Sequence, residues 1–325
     1  MKKINLITAV LLFVLMFCTS CVGTYFVNFA LKRQTFDPQK MKFDDFSKSE
    51  DQMTESELAV KRNGDAIEQL TLAWLENQTS ERWTLTSSDG LQLVADYYPY
   101  ENSHRYAILV HGYTGNKHQM LDYGKFFHDW GFNVLTPDNR AHGESQGQWI
   151  GMGWLDSYDQ LKWINRIVEM DPDAQITMLG VSMGGATVMM TSGLDLPSNV
   201  KCLIEDCGYS SVWDEFANEL KVIFHLNTWP LLNIADGAAK RTVGYGLKEA
   251  SSMNRLENAK VPMLFIHGTA DDFVSYSMLD ENIASYGGPA GEVLRVEGAG
   301  HARSLATDYN LYTQTVRNFV FKYIN

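Results

Sequence analysis

The chain has 325 residues, and 45% of them are apolar, which is enough for a large buried core. Asp and Glu number 39 against 27 Lys and Arg, a formal net charge of −12 at pH 7. This acidic balance leaves no basic stripe to meet phosphates and argues against a general nucleic-acid-binding protein. The 4 cysteines are too few for a disulfide scaffold.

The N-terminal region is apolar and nearly uncharged over residues 4–22, between Lys2-Lys3 and Lys32-Arg33. A run of this length can span a bilayer, and no Ala-x-Ala-like cleavage site follows it. We therefore predict a single-pass signal anchor over residues 1–33, with the N-terminus inside the cell and the rest outside. A lipoprotein junction at Cys21 and cleaved secretion are the alternatives.

The anchor is predicted to lead into a polar connector. Tyr25 and Phe26 would suit the far membrane interface, where aromatic residues are enriched. The connector covers residues 34–80 and is acidic in its first half. Apolar residues at helical spacing predict a helix over 55–75, with one face packed on the domain that follows.

The domain proper is predicted over residues 81–325, where strand and helix patterns alternate. Alternating or continuous apolar runs predict strands at 82–86, 91–97, 106–110, 132–136, 176–179, 200–204, 261–266 and 292–296. Helical patterns cover 117–130, 154–168, 183–193 and 308–323. This order predicts an α/β fold, a mostly parallel doubly wound sheet with helices on both faces and an antiparallel edge hairpin from the first two strands.

One long insertion interrupts the alternation, over about residues 209–258, between consecutive core strands. It is rich in Trp, Phe, Leu and Tyr. Long insertions in compact domains are usually functional, and ligands of open α/β sheets bind at the carboxyl edge of the strands. We predict a helical cap over that edge; an ordinary surface insertion is the alternative.

The most informative motif is Gly-Val-Ser-Met-Gly-Gly at residues 180–185, between a predicted strand and a predicted helix. In this context, Gly-x-Ser-x-Gly is typical of a nucleophile elbow, a strained turn that exposes the serine hydroxyl. Ser182 is therefore the predicted nucleophile. The alternative is a glycine-rich connection in which the serine is incidental.

A base and an acid are expected later in the chain, in the order Ser, Asp, His. His301 follows the last predicted strand in a glycine-rich loop, and we assign it as the base. Asp271 follows the preceding strand and is the favoured acid, with Asp206 and Asp272 as rivals. All leave the carboxyl ends of strands, the edge where Ser182 lies. A loop histidine bonded to backbone is the alternative role of His301.

An oxyanion hole is predicted from two backbone N–H groups. Tyr113 lies in the loop after the strand that ends at Val110, and Met183 follows the nucleophile. These donors would meet negative charge that develops only in the tetrahedral intermediate. The Tyr113 phenol could instead line the pocket.

The loop over residues 138–145 is predicted to be structural. The guanidinium of Arg140 suits the fixing of nearby carbonyl or carboxylate groups, and His142 is read as a satisfied loop histidine. The 8 histidines are scattered, and the sequence contains neither His-Glu-x-x-His nor a second Cys-x-x-Cys that could pair with the one at residues 18–21. No metal and no cofactor are predicted.

Over about residues 81–325 the chain resembles the α/β-hydrolase superfamily. The resemblance rests on His111-Gly112, Asp138-x-Arg140-x-His142-Gly143-x-Ser145, Gly180-x-Ser182-x-Gly184-Gly185, His267-Gly268-x-x-Asp271 and Gly300-His301. Together with the anchor and residues 207–213, it is similar to membrane-anchored, mostly uncharacterised serine hydrolases of Gram-positive bacteria. Many relatives have Gly in place of Ala141 and Pro in place of Ser275. Dehalogenases of the superfamily carry Asp at the elbow, where this chain has Ser182.

The combined pattern predicts a serine hydrolase that cleaves carboxylic esters of a small-molecule acyl substrate. A serine peptidase or aminopeptidase on the same fold is the nearest alternative. A non-catalytic cell-surface binding protein on a hydrolase scaffold is the alternative from another class. No oligomeric state follows from these residues.

Overall fold

The computed structural model describes residues 21–33, 50–222 and 225–325. Most of the predicted anchor and the first part of the connector therefore lie outside the described residues. Within those three ranges, no helix combines the length and the apolar character that crossing a bilayer requires.

The domain is built on a single sheet of eight strands in the order β1-β2-β4-β3-β5-β6-β7-β8. The strands are β1 Glu81–Thr86, β2 Gln92–Tyr98, β3 Arg105–Val110, β4 Asn133–Pro137, β5 Gln175–Val181, β6 Val200–Asp206, β7 Met263–Gly268 and β8 Gly291–Val296. The strands from β3 to β8 pair in parallel. The predicted antiparallel edge hairpin is β1 and β2, and β2 also pairs antiparallel with β4.

The helices follow the strands as the alternating pattern predicts. They are α1 at residues 21–31, α2 Glu55–Leu75, α3 Leu121–Asp129, α4 Trp154–Met170, α5 Met183–Ser192, α6 Val212–Val222, α7 Leu231–Thr242, α8 Ser252–Leu256, α9 Ser277–Ser285, α10 Ser304–Thr307 and α11 Tyr309–Val320. The sequence pattern missed α9 and α10. Both are short, and the apolar periodicity that marks a helix needs a longer window.

The sheet is buried on both faces, which confirms the doubly wound prediction. Successive side chains of a strand point to opposite faces. In β3, accordingly, Ile108 and Val110 belong to one apolar cluster, whereas Ala107 and Leu109 belong to another. All four are completely buried. Each face therefore has its own helix layer and its own core.

The long insertion between β6 and β7 is helical and contains α6, α7 and α8. It contacts the loops at the carboxyl edge of the sheet. Asn218 of α6 donates a hydrogen bond to the Phe273 carbonyl, 2.8 Å away. Tyr245 donates its hydroxyl to the Ile150 carbonyl at 2.9 Å. We call this insertion the cap.

The two helices that precede the sheet also pack on the domain. Helix α2 begins with a capping box at Thr54 and Glu57 and buries Ile67 and Trp74. In α1, Val27 and Leu31 are fully buried. Phe26, which we predicted to suit a membrane interface, packs against the ring of Phe216 in α6, with ring centroids 5.5 Å apart.

Candidate active site

Ser182 lies on the sharp turn between β5 and α5. Its backbone has φ 58° and ψ −120°, a conformation that a residue other than glycine adopts only under strain. The turn requires small neighbours. A Cβ on Gly180 would lie 2.1 Å from the Gly184 carbonyl oxygen, and one on Gly184 would lie 2.0 Å from that of Val110. These close approaches explain the glycines at both positions.

The structure brings the three predicted catalytic side chains together. His301 Nε2 lies 2.9 Å from Ser182 Oγ, and His301 Nδ1 lies 2.8 Å from Asp271 Oδ2. With its proton on Nδ1 donated to the carboxylate, the neutral ring leaves Nε2 as the acceptor for the serine hydroxyl. Ser182 is 9% exposed and Asp271 is 7% exposed. The hydroxyl can therefore pass its proton to a base that a buried carboxylate orients.

The carboxylate of Asp271 is held on both oxygens. Oδ1 accepts the backbone N–H groups of Phe273 and Val274, each at 3.0 Å. Oδ2 faces His301 and also His267, whose Nε2 lies 3.2 Å away. Burial disfavours the charged carboxylate, but the hydrogen bonds from the two histidines outweigh it and lower the pKa of Asp271. The ionised form that orients His301 is therefore stabilised.

The two rival acids are placed elsewhere. Asp206, at the end of β6, accepts a hydrogen bond from Ser304 at 3.1 Å, and burial raises its pKa to about 6. Asp272 is exposed to solvent. The geometry therefore favours Asp271 as the partner of His301.

His267 is a part of the site that the sequence did not assign. It belongs to the His-Gly-x-x-Asp motif and is buried beside Asp271. Burial disfavours its charged form, but the hydrogen bond to Asp271 outweighs this effect and raises the pKa of His267. The sequence feature that could have identified His267 is its position at the carboxyl end of β7, four residues before Asp271. A charged His267 would place a cation beside the Asp271 carboxylate.

The loop that carries Tyr113 approaches the nucleophile closely. A Cβ on Gly112 would lie 3.4 Å from Ser182 Cβ. Met183 begins α5, so its N–H is among those that a helix leaves without an intrahelical partner. These positions are compatible with the predicted oxyanion donors. The Tyr113 phenol donates to the Ala30 carbonyl of α1 at 2.7 Å.

Two other histidines near the site have both ring nitrogens engaged. His111 pairs Nδ1 with the Gly112 carbonyl, and its Nε2 accepts the Asn139 N–H. His142 pairs Nδ1 with the Arg140 carbonyl and accepts the Thr114 N–H at Nε2. Burial lowers the pKa of His111 to about 4 and that of His142 to about 3. Both are neutral, and they have no free nitrogen to serve as a base.

Arg140 fixes carboxylates, as its fork geometry suggested. Its guanidinium binds Asp159 through two nitrogens, at 2.8 and 2.9 Å, and contacts Asp89 at 3.0 Å. Arg140 and Asp159 are both 3% exposed. The neighbouring Ala141 has φ 60°, a conformation that favours glycine, which is the residue expected there in many relatives.

One group of side chains in the described part of the chain has the composition of a metal site. The potential ligand atoms of Cys207, Asp271 and His301 all lie within 4.8 Å of one another. Cysteine binds a metal ion as the thiolate, and burial raises the pKa of Cys207 well above its usual range. Asp271 and His301 already bind each other. The donor set therefore suits a proton relay better than a metal ion.

The strand order, the elbow and the cap insertion together define an α/β-hydrolase architecture. A model of the alpha/beta hydrolase fold family matches residues 108–227. The uncharacterized protein YqkD of Bacillus subtilis (strain 168) is 30% identical over 218 residues, which cover 66% of this chain and 70% of YqkD. The chain belongs to the α/β-hydrolase fold family.

Solved structures share the fold at lower identity. The Pyrococcus furiosus esterase Pf2001 is 20% identical with a TM-score of 0.64, over 76% of this chain and 92% of the esterase. The Pyrococcus horikoshii acylaminoacyl peptidase is 17% identical with a TM-score of 0.55, over 74% of this chain and 41% of the peptidase. At these identities the likeness concerns the fold alone.

Proposed function

We propose that this protein is a serine hydrolase that cleaves carboxylic esters through an acyl-enzyme formed on Ser182. The observation that carries the proposal is the continuous hydrogen-bonded chain from Ser182 Oγ through His301 to Asp271, with 2.9 and 2.8 Å links. The presence of an esterase among the proteins of similar fold supports it.

In the proposed reaction, Ser182 Oγ attacks the ester carbonyl while its proton moves to His301 Nε2. Asp271 stabilises the resulting imidazolium. The backbone N–H groups of Tyr113 and Met183 donate to the oxyanion of the tetrahedral intermediate. Collapse of the intermediate breaks the ester C–O bond, and the alcohol leaves with the proton from His301. A water molecule then repeats the sequence and releases the acid.

A serine peptidase is the second candidate, since the same three side chains also cleave amides. The similarity of the fold to that of an acylaminoacyl peptidase supports this second candidate. Turnover of peptide amides and acyl esters by the same preparation would separate the two. We expect the ester to be the better substrate, and a peptide amide with the higher kcat/KM would decide for the peptidase.

We also propose that residues 1–33 attach the protein to the cell membrane as a single-pass anchor that crosses the bilayer within residues 4–22, with the catalytic domain outside. The apolar run over residues 4–22 supports this placement. Protease treatment of intact cells should remove the domain, and complete protection would refute this orientation.

The catalytic proposal is tested by Ser182→Ala. The exchange should lower kcat for a short p-nitrophenyl ester by about 10⁴-fold or more. Ser198→Ala is the matched control, because Ser198 is exposed in the turn before β6, and it should keep wild-type turnover. Undiminished turnover by folded Ser182→Ala would refute the assignment.

A further inference from the structure

Helix α1 spans the two parts of the molecule that flank Ser182. Near the first described residue, Gly23 packs so closely on α7 that a Cβ would lie 2.8 Å from Ala238 Cβ. Midway, Phe26 contacts Phe216 of α6. At its end, the Ala30 carbonyl accepts the hydroxyl of Tyr113. The helix therefore joins the cap to the loop that carries the predicted oxyanion donor.

The residues after α1 are fixed to the same edge of the domain. The Leu31 carbonyl accepts the Ile150 N–H, and the Arg33 N–H donates to the Gln148 carbonyl, both at 2.7 Å. The Arg33 guanidinium donates to the carbonyls of Ser145 and Gly143. Residues 21–33 are thus an integral part of the domain surface around the site.

The opposite face of α1 carries large apolar side chains that are partly exposed. Val22, Tyr25 and Phe29 are 43%, 74% and 58% exposed. Their spacing of three and four residues places them on one side of the helix. The rings of Tyr25 and Phe29 stack, with centroids 6.5 Å apart. Clustered exposed apolar side chains of this kind mark an interaction surface.

The chain that precedes α1 indicates what covers this face. The nearly uncharged run over residues 4–22 leads into α1 at the first residues that the structure describes. If that run enters a bilayer, α1 must emerge at the membrane surface. Aromatic side chains are favoured at that depth, where one face of a helix contacts lipid.

We infer that the outer face of α1, formed by Val22, Tyr25 and Phe29, rests on the lipid bilayer while its inner face packs on the cap and on the loop that carries Tyr113, next to the catalytic site. The mouth of the site then lies at the membrane surface. Resting on the proposed esterase function, this arrangement assigns a membrane-borne amphiphilic ester as the substrate class. Its long chain stays in the lipid, and its ester group reaches Ser182 past α1.

The first experiment measures the depth of α1 without using activity. Phe29→Cys is labelled with an environment-sensitive fluorophore in the full chain, with Cys18 and Cys21 changed to Ser, in phosphatidylcholine–phosphatidylglycerol vesicles. Cys202 and Cys207 are buried and should not react. Leu70→Cys is the control, because Leu70 is 56% exposed on α2. Brominated lipids should quench the label at 29 and not at 70.

Absence of quenching at 29 would overturn the inference. If emission at 29 then changed with protein concentration, the face would be covered by a second copy of the chain rather than by lipid. Equal quenching at 29 and 70 would also overturn it, since the bilayer would not select this face.

The second experiment compares two substrates. Tyr25→Ser combined with Phe29→Ser should lower the rate on a long-chain ester held in vesicles about tenfold or more, relative to a short soluble ester. Leu70→Ser combined with Leu72→Ser should leave this ratio unchanged. An unchanged ratio in the first variant would overturn the assigned substrate class. If the wild-type chain hydrolysed neither ester, the esterase proposal would fail, while the quenching result would still decide the position of α1.

Discussion

Asp271→Asn isolates the contribution of the carboxylate to the proposed mechanism. The wild-type Oδ2 faces His301 Nδ1 at 2.8 Å, while Oδ1 is committed to two backbone N–H groups. Asparagine keeps one oxygen for those N–H groups and turns an amide donor toward His301. The ring must then carry its proton on Nε2, where it cannot accept the hydroxyl of Ser182.

The expected loss is about 10⁴-fold in kcat, the loss that the same exchange causes in a serine protease with a Ser-His-Asp triad. This corresponds to about 5.5 kcal/mol of transition-state stabilisation. KM should change little, since Asp271 does not face the substrate carbonyl in the proposed reaction. The assay is steady-state hydrolysis of a p-nitrophenyl ester, with circular dichroism to verify the fold.

Asp272→Asn is the matched control, because Asp272 is adjacent and exposed. It should retain kcat within about twofold, since surface substitutions rarely disturb their surroundings. Equal losses in the two variants, or full activity in folded Asp271→Asn, would refute the assignment of the acid.

Three further predictions concern stability. Arg140→Met should lower the free energy of unfolding in urea by about 3–5 kcal/mol, because it leaves the buried Asp159 carboxylate unpaired; Arg82→Met, which breaks an exposed pair with Glu144, should cost less than about 1 kcal/mol. Gly184→Ala should lower the free energy of unfolding by about 3 kcal/mol or prevent folding. Gly64→Ala in α2 should be tolerated, because the added Cβ would lie 3.9 Å from Ala306 Cβ. Equal Tm values for the two variants would contradict this prediction. Burial raises the pKa of Glu205 to about 8 from 4.5, so the folded state holds a proton that the unfolded state releases. The stabilisation that this retained proton reflects is complete below pH 4.5 and is lost as the pH rises through 8. The Tm of Glu205→Gln should therefore fall less over this pH range than the Tm of the wild type. Parallel curves of Tm against pH would contradict the assigned cause.

Features set by local sequence could be predicted. The apolar runs of the buried strands and the glycines around Ser182 are local signals, because backbone geometry and burial act on each segment directly. The parallel sheet and the helical insertion could therefore be predicted from the sequence. The order of the strands was not, since the antiparallel pairing of β2 with β4 depends on contacts between distant segments.

Assignments that depend on packing required the structure. Asp206, Asp271 and Asp272 all lie at or after the ends of core strands, so the sequence alone does not decide between them. The structure does, because Asp271 lies beside His301, whereas Asp206 accepts a hydrogen bond from Ser304. The role of His267 was hidden because its partner, Asp271, was already assigned to His301. Helix α1 illustrates the same limit: an apolar stretch can pack on protein, lie on lipid or do both, and periodicity alone does not distinguish these cases.

The central proposal is that Ser182 is an activated nucleophile. The most direct measurement is the labelling of the purified full chain with a fluorophosphonate, followed by mass spectrometry of the modified peptide. We expect a single adduct on Ser182, formed rapidly by the wild-type chain and much more slowly by His301→Gln. An adduct on another serine would contradict the assignment of Ser182, and absence of an adduct would contradict it and favour a binding protein on a hydrolase scaffold.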